Sequence, residues 1–303
     1  MNPNENNWTI HSVLSAISSH AEKLISQKGY SEFNQEWFGT ITHVQPALMY
    51  MLKMNVSDRL IIEGNPLEAD YEFALQKGWN WIGFWKDQPV LLNTALQEIG
   101  DSGEKIVSQR GFAEYHQGWW GSCDMLIPGN GYMLKIKEPK KLRYSFNSGL
   151  NRKNKSNNNL PDKISDWTMQ ASNYEFQGTL TIKLECRTMD HISEHDWFGA
   201  FINNECRGAA NAVQTPNGVL FFLQVWANDN NLPMTFKFFS ANENRVYPVQ
   251  TSLISFVANM EMGRIDAPVV FKVDDWYEDV NKDGILDLKD VILILKDVGG
   301  VKN

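Results

Sequence analysis

Cysteine is scarce in this chain: Cys123, Cys186 and Cys206 are the only three in 303 residues. Three are too few for a disulfide framework, and their spacing fits no metal-ligand pattern. Cys186 and Cys206 pair if adjacent strands bring them together, leaving Cys123 alone; two buried thiols are the equal alternative. Basic charge is also short, with 28 Lys and Arg against 36 Asp and Glu and a formal net charge of −8. A general nucleic-acid binder needs a basic face to neutralise phosphates, so that class is excluded. Long apolar runs are missing too. Val291 to Leu295 is far below the ~20 residues of a membrane-spanning helix, so no membrane insertion is expected. Met1-Asn-Pro-Asn-Glu-Asn-Asn7 has neither the charged nor the apolar region of a signal peptide.

Apolar residues are not short. They make up 43% of the chain, enough for a core in each of the two to four domains that the length implies. Self-similarity organises the first half. Ile25-Ser-Gln-Lys-Gly-Tyr-Ser-Glu-Phe33 matches Val107-Ser-Gln-Arg-Gly-Phe-Ala-Glu-Tyr115, Trp37-Phe-Gly-Thr40 matches Trp119-Trp-Gly-Ser122, and Tyr50-Met-Leu-Lys53 matches Tyr132-Met-Leu-Lys135. The shift is 132 − 50 = 82 throughout, with roughly 17 identities over about 55 positions. Within the second copy, Gly78-Trp-Asn-Trp-Ile-Gly-Phe84 reads as a buried strand, and Leu92, Ala95, Leu96 and Ile99 have helical spacing before Gly100. Short strands follow at 105–109, 112–116 and 132–136. The first copy has the helix at Val13 to Ile17, but its counterpart of Gly78–Phe84 falls before Met1. An open sheet edge is therefore expected there, with the chain a piece of a longer array or the strand supplied from elsewhere.

Aromatic residues invite a sugar-stacking role. Trp37, Trp79, Trp81 and Trp119 recur within the module pattern and are read as core. Trp85 and Trp120 fall outside strict alternation and are candidates for exposure, and Trp226 is a candidate platform on the second half. Gly-Trp-Asn-Trp-Ile-Gly, a short helix, Ser-Gln-x-Gly-Phe, Trp-x-Gly-Ser and Pro-Gly-x-Gly-Tyr-Met-Leu together resemble tandem repeats of large secreted or surface bacterial proteins. Over residues 8–144 that resemblance implies an extracellular, non-catalytic accessory region.

Residues 148–163 are rich in Asn, Lys and Ser and read as a linker. Beyond it, strands at 179–186, 197–202, 219–227, 234–239 and 269–273 are separated by Asn, Gly and Pro turns, which argues a β-sandwich. Asp196-Trp-Phe-Gly-Ala-Phe-Ile-Asn-Asn-Glu-Cys-Arg-Gly208 resembles the strand–turn–strand core of sandwich domains that accompany such repeats. His191-Ile-Ser-Glu-His195 fits the H-x-x-E-H zinc pattern, which needs a helix to place both imidazoles and Glu194 on one face. A polar loop is the expectation here, so a zinc metalloprotease through His191, Glu194 and His195 is a remote alternative. Ion binding by Asp190, His191, His195 and Asp196 is another. No Ser/His/Asp order, Walker loop or dinucleotide fingerprint appears, so no enzyme is expected.

The C-terminal signal is Asp279-Val-Asn-Lys-Asp-Gly-Ile-Leu-Asp-Leu-Lys-Asp290. With Asp279 as loop position 1, side-chain oxygens fall at 1, 3, 5, 9 and 12 on Asp279, Asn281, Asp283, Asp287 and Asp290. Gly284 sits at position 6, where the loop turns, and Ile285 offers its backbone carbonyl at position 7. Ca2+ takes six to eight hard oxygens, and this spacing supplies them. With the following helix at 288–298, the segment resembles one half of a type I dockerin, whose partner is a cohesin and whose partner-facing positions would be Leu288 and Lys289. The organisation expected is α+β and all-β multidomain. It comprises repeat 1 at 1–64, repeat 2 at 65–147, a linker at 148–165, a β-sandwich at 166–273 and a calcium loop–helix at 274–303. The function expected is adhesion or polysaccharide binding outside the cell, with a structural spacer carrying a dockerin-like tail as the alternative.

Overall fold

The computed structural model describes residues 8–62, 67–68, 70–145, 160–186, 192–273, 289 and 292–293. Among the described residues strands account for 49% and helices for 10%. The α-helices described from end to end are two short ones, α1 (Ile10–Leu14) and α2 (Leu92–Ala95), and Lys289, Ile292 and Leu293 are also helical. The α+β expectation is therefore corrected: each repeat is a β-sheet with about one helical turn beside it. The apolar spacing did mark an inward face, since Leu92, Ala95, Leu96 and Ile99 are all buried. Yet the α-helix stops at Ala95 and the chain tightens into a short 3₁₀ turn at Gly100–Ser102, because so short a helix is held by packing and not by propensity.

The chain divides into two compact units, Met1–Asn158 and Asn159–Asn303, so both repeats belong to one unit. In the first repeat β1 (Ala21–Ser26), β2 (Gly29–Asn34), β3 (Glu36–Gly39) and β4 (Met51–Met54) form an antiparallel sheet in the order β3-β2-β1-β4. The second repeat runs through β5 (Phe73–Leu75), β6 (Gly78–Gly83), β7 (Val90–Leu91), β8 (Gly103–Ser108), β9 (Gly111–Tyr115), β10 (Trp119–Gly121), β11 (Met125–Leu126), β12 (Gly131–Ile136) and β13 (Lys140–Leu142). Its main sheet is β10-β9-β8-β12-β6, and β11–β7 and β13–β5 are small ribbons. The 82-residue shift holds in the register. Lys23 pairs with Glu32 and Ile25 with Tyr30, as Lys105 pairs with Glu114 and Val107 with Phe112.

The repeated motif residues are consumed in building each sheet. Ser26 Oγ accepts from Lys28 N and donates to Gly29 O, closing the β1–β2 turn, and Ser108 does the same with Arg110 and Gly111. Thr40 Oγ1 accepts from Tyr30 N at 3.1 Å and donates to Tyr30 O at 3.2 Å; Ser122 treats Phe112 likewise at 3.3 and 3.4 Å. That hydroxyl clamp requires close backbone approach, and this is where the glycine of Trp-x-Gly is needed. A Cβ on Gly39 would lie 2.3 Å from Tyr30 O, and one on Gly121 would lie 2.2 Å from Phe112 O. Trp37 and Trp119 are buried, as expected. Trp79 and Trp81 are not: they are half-buried, and Asn80 and Ile82 take the inward positions of β6. Asn80 earns that place through its amide, which bonds the backbone of Gln76, Gly78 and Leu134.

The second unit contains β14 (Phe176–Glu185), β15 (Trp197–Ile202), β16 (Glu205–Thr215), β17 (Gly218–Ala227), β18 (Leu232–Ser240), β19 (Arg245–Gln250), β20 (Ile254–Phe256), β21 (Glu261–Met262) and β22 (Val269–Val273). Pairing follows β15-β16-β17-β14-β22-β19-β18, and β18 pairs back onto β15, so seven strands close into a barrel. The sandwich expectation is corrected accordingly. Closure leaves no free edge among those seven, and only β14–β22 within the ring is parallel. Phe198, Phe221, Phe236, Phe238 and Phe271 fill the interior, with Phe198 stacked on Phe271 at 5.6 Å. Outside the wall, Trp167 packs on Phe201 at 5.3 Å, over Gly199, where a Cβ would meet its indole at 2.9 Å.

Gly121→Ala forces β10 away from β9, so we expect destabilisation by about 3 kcal/mol. A urea melt followed by tryptophan fluorescence checks this. An unchanged midpoint would refute the close-approach account of the motif.

Candidate functional site

The sheet of the first repeat has one face on its own core, through Leu24, Trp37 and Leu52, and one face turned outward. Because β-strand side chains alternate, burying Trp37 sends Phe38 outward, and burying Ser31 sends Tyr30 and Glu32 outward. Met51, Ile25 and Tyr30 are direct partners across β4, β1 and β2, and Phe38 opposes Glu32 on β3. The result is an apolar stripe across β4, β1 and β2, with Phe38 diagonal to Tyr30 on β3; Tyr30 is 51%, Phe38 61% and Met51 41% exposed.

Charged residues frame the stripe. Lys23 Nζ lies 2.9 Å from Glu32 Oε1 and 4.4 Å from the centroid of the Tyr30 ring. The hydrogen bond to Glu32 raises the Lys23 pKa. Lys53 pairs with Glu22 at 3.0 Å. Aromatic faces beside fixed cations and carboxylates suit a polyhydroxylated polymer, whose C–H faces stack on rings while its hydroxyls reach the charges. In the second repeat the same positions are closed: Lys105, Val107, Phe112 and Glu114 are buried.

The structure places the expected platform residues elsewhere. Trp226 is 8% exposed, held in β17 opposite Gln177, so it is no open stacking surface. Trp85 is half-buried in an aromatic cluster with Tyr71, Phe73 and Tyr144. Trp120 is half-buried and donates its indole N–H to His116 O at 3.0 Å. Trp120 is nevertheless the counterpart of Phe38, since 120 − 82 = 38. The period of two within β3 places Phe38 outward next to buried Trp37, and within β2 it places Tyr30 outward next to buried Ser31.

The remaining candidates divide by location. Asp279, Asn281, Asp283, Ile285, Asp287 and Asp290 lie outside the described residues, as do Asp190 and His191. Glu194 and His195 form a turn and not the helix that the zinc pattern needs. Asp196 is buried and committed to backbone, accepting from Ser193 N at 2.8 Å and Ala241 N at 2.7 Å. Among the described residues no group of three or more His, Cys, Asp or Glu is placed to hold a metal ion. No helix of the described residues is long and apolar enough to cross a membrane.

None of the three cysteines is bridged. β17 lies between β14 and β16, which separates Cys186, just after β14, from Cys206 in β16 and corrects the pairing considered for them. Burial pushes the Cys123 thiol up to about 12 and the Cys206 thiol up to about 11. No family model, curated protein or solved structure matches the chain.

At pH 8 the native chain should therefore release about one equivalent of thionitrobenzoate rapidly, from half-buried Cys186, and about three in denaturant. One equivalent in denaturant would reveal a Cys186–Cys206 bridge.

Proposed function

We propose that this chain is a non-catalytic binding region of an extracellular protein, and that the outward face of the first repeat holds a polysaccharide. The observation that carries this reading is the exposed Tyr30–Phe38–Met51 stripe. Monomeric proteins rarely leave contiguous apolar stripes open without a use. Weak stacking repeated along a polymer accumulates by multivalency, so a shallow face suffices where a single sugar would need a pocket. Retention of the purified chain on insoluble polysaccharides tests it. Tyr30→Ala and Phe38→Ala should each weaken retention about fivefold to tenfold, while Trp226→Phe leaves it unchanged. A folded chain that no polysaccharide retains would overturn the reading.

A structural spacer with a cohesin-like partner is the second reading. It is favoured by the motif residues themselves, since Ser26, Gly39, Thr40 and their counterparts serve the sheet and not a site. Both readings share one ion. We assign Ca2+ to Asp279, Asn281, Asp283, the Ile285 carbonyl, Asp287 and Asp290 on the spacing of their oxygens. Four carboxylates converging without a cation repel one another, so binding orders the segment. Isothermal titration should give one Ca2+ per chain, abolished by Asp283→Ala. Unaltered binding in that variant would move the site elsewhere.

A further inference from the structure

The two sheets differ by one strand, and the difference exposes how such repeats join. β6 is used on both edges. On one side it pairs with β12 from Gly131↔Gly83 to Ile136↔Gly78. On the other it meets the first repeat. Gln27 Oε1 accepts from Trp81 N at 2.9 Å, Gln27 Nε2 donates to Trp79 O at 2.6 Å, and Gly83 N donates to Ala47 O at 2.8 Å. Since Trp79, Trp81 and Gly83 spend their backbone groups on this side, Asn80 and Ile82 spend theirs on Leu134 and Tyr132 of β12.

The counterparts of Tyr132 and Leu134 are Tyr50 and Leu52, within the identical Tyr-Met-Leu-Lys sequence. By the same alternation, Leu52 directs its N–H and C=O away from β1. Among the described residues no strand pairs with that outer edge of β4. We infer that the outer edge of β4 is a strand-acceptor site, and that its occupant is an extended segment of the Gly-Trp-x-Trp-Ile-Gly type. It lies antiparallel to β4, with its asparagine position opposite Leu52 and its second tryptophan opposite Met51. The second repeat displays this pairing on the same acceptor sequence, so main-chain bonds provide the affinity and the inward isoleucine and asparagine set the register. Both tryptophans of the added strand fall on the outward face, next to Met51 and Lys53, as Trp81 faces Met133 and Trp79 faces Lys135. The inference stands apart from the polysaccharide reading, because it rests on backbone pairing alone.

A fluorescein-labelled peptide of the sequence Gln76–Lys86, titrated into the full chain, tests the site by anisotropy, with hydrogen exchange reporting the location. Saturable binding of one peptide per chain is expected, with slowed exchange of the Tyr50 and Leu52 amides. A peptide N-methylated at its Asn80 and Ile82 positions should bind at least about tenfold more weakly, since it loses two main-chain donors. Leu52→Pro, which removes an N–H outside the β1 ladder, should weaken binding by a similar factor. Absence of binding would overturn the site. Equal binding of the N-methylated peptide would do so too, as would slowed exchange at Tyr132 and Leu134 in place of Tyr50 and Leu52, since the peptide would then be exchanging with β6.

Discussion

A single hydroxyl gripping both backbone groups of one residue sets the geometry of each repeat. Thr40 holds Tyr30 and Ser122 holds Phe112, and the grip is possible only because Gly39 and Gly121 let the preceding strand lie against its neighbour without a Cβ. Once β3 and β10 are placed so closely, their side-chain parity is set. Trp37 and Trp119 must point to the core and Phe38 and Trp120 must point away. The aromatic face is a consequence of this constraint, not a separate feature. A slip of one residue would bury Phe38 and expose the indole on which the first core is built.

The two copies show what divergence around a common frame does. In the first, the Trp37 indole N–H donates to Ser18 Oγ at 3.0 Å. Position 100 takes the place of Ser18 in the second, and there Gly100 adopts φ of 50° and leaves the Trp119 N–H without a partner. A glycine that permits a left-handed turn has replaced a capping hydroxyl, at the cost of one buried donor. The Lys–Glu pair behaves similarly. Lys23–Glu32 is open to water, whereas Lys105–Glu114 is 5% exposed on both sides and packs over Phe112 at 4.6 Å. The same two residues are thus a solvated frame in one copy and a desolvated ion pair in the other. Removing one partner of a desolvated pair is costly, because it strands the other charge.

Much of the first unit was legible because repetition supplies a second reading of every position. The 82-residue shift carried the strand register, the turn serines and the tyrosine hydroxyl that accepts from the loop backbone, Gln45 N to Tyr50 and Ile127 N to Tyr132. Recurrence within the module pattern marks Trp79 and Trp81 as core, yet Asn80 and Ile82 take the inward positions of β6. The decisive property was the capacity of the Asn80 amide to satisfy backbone groups inside. The second unit had no such duplicate. β16 was only partly visible, because its inward residues are Ala210 and Ala212, too small to stand out as an apolar alternation. β19 carries Pro248, which speaks against a strand unless it sits where no donor is needed. Barrel closure depends on β15 pairing with both β16 and β18, a long-range choice that the spacing of strands does not encode.

The open edge of β4 and the exposed stripe meet at Met51, and this bears on how the fold relates to its use. β6 is bounded on both edges, by β12 and by the Gln27 amide. The turn residue Gln27 has no part in closing its own hairpin, which Ser26 and Gly29 accomplish without it. Its counterpart Gln109 occupies the same turn and is exposed. A residue retained in both copies, yet spent on the neighbouring repeat in the one case where a neighbour follows, is explained by joining and not by folding. Strand addition at one end and an amide clamp at the other would let each repeat lengthen the sheet edge of the next. A strand added in this way would carry two tryptophans to the outward side, so joining would also extend the aromatic face.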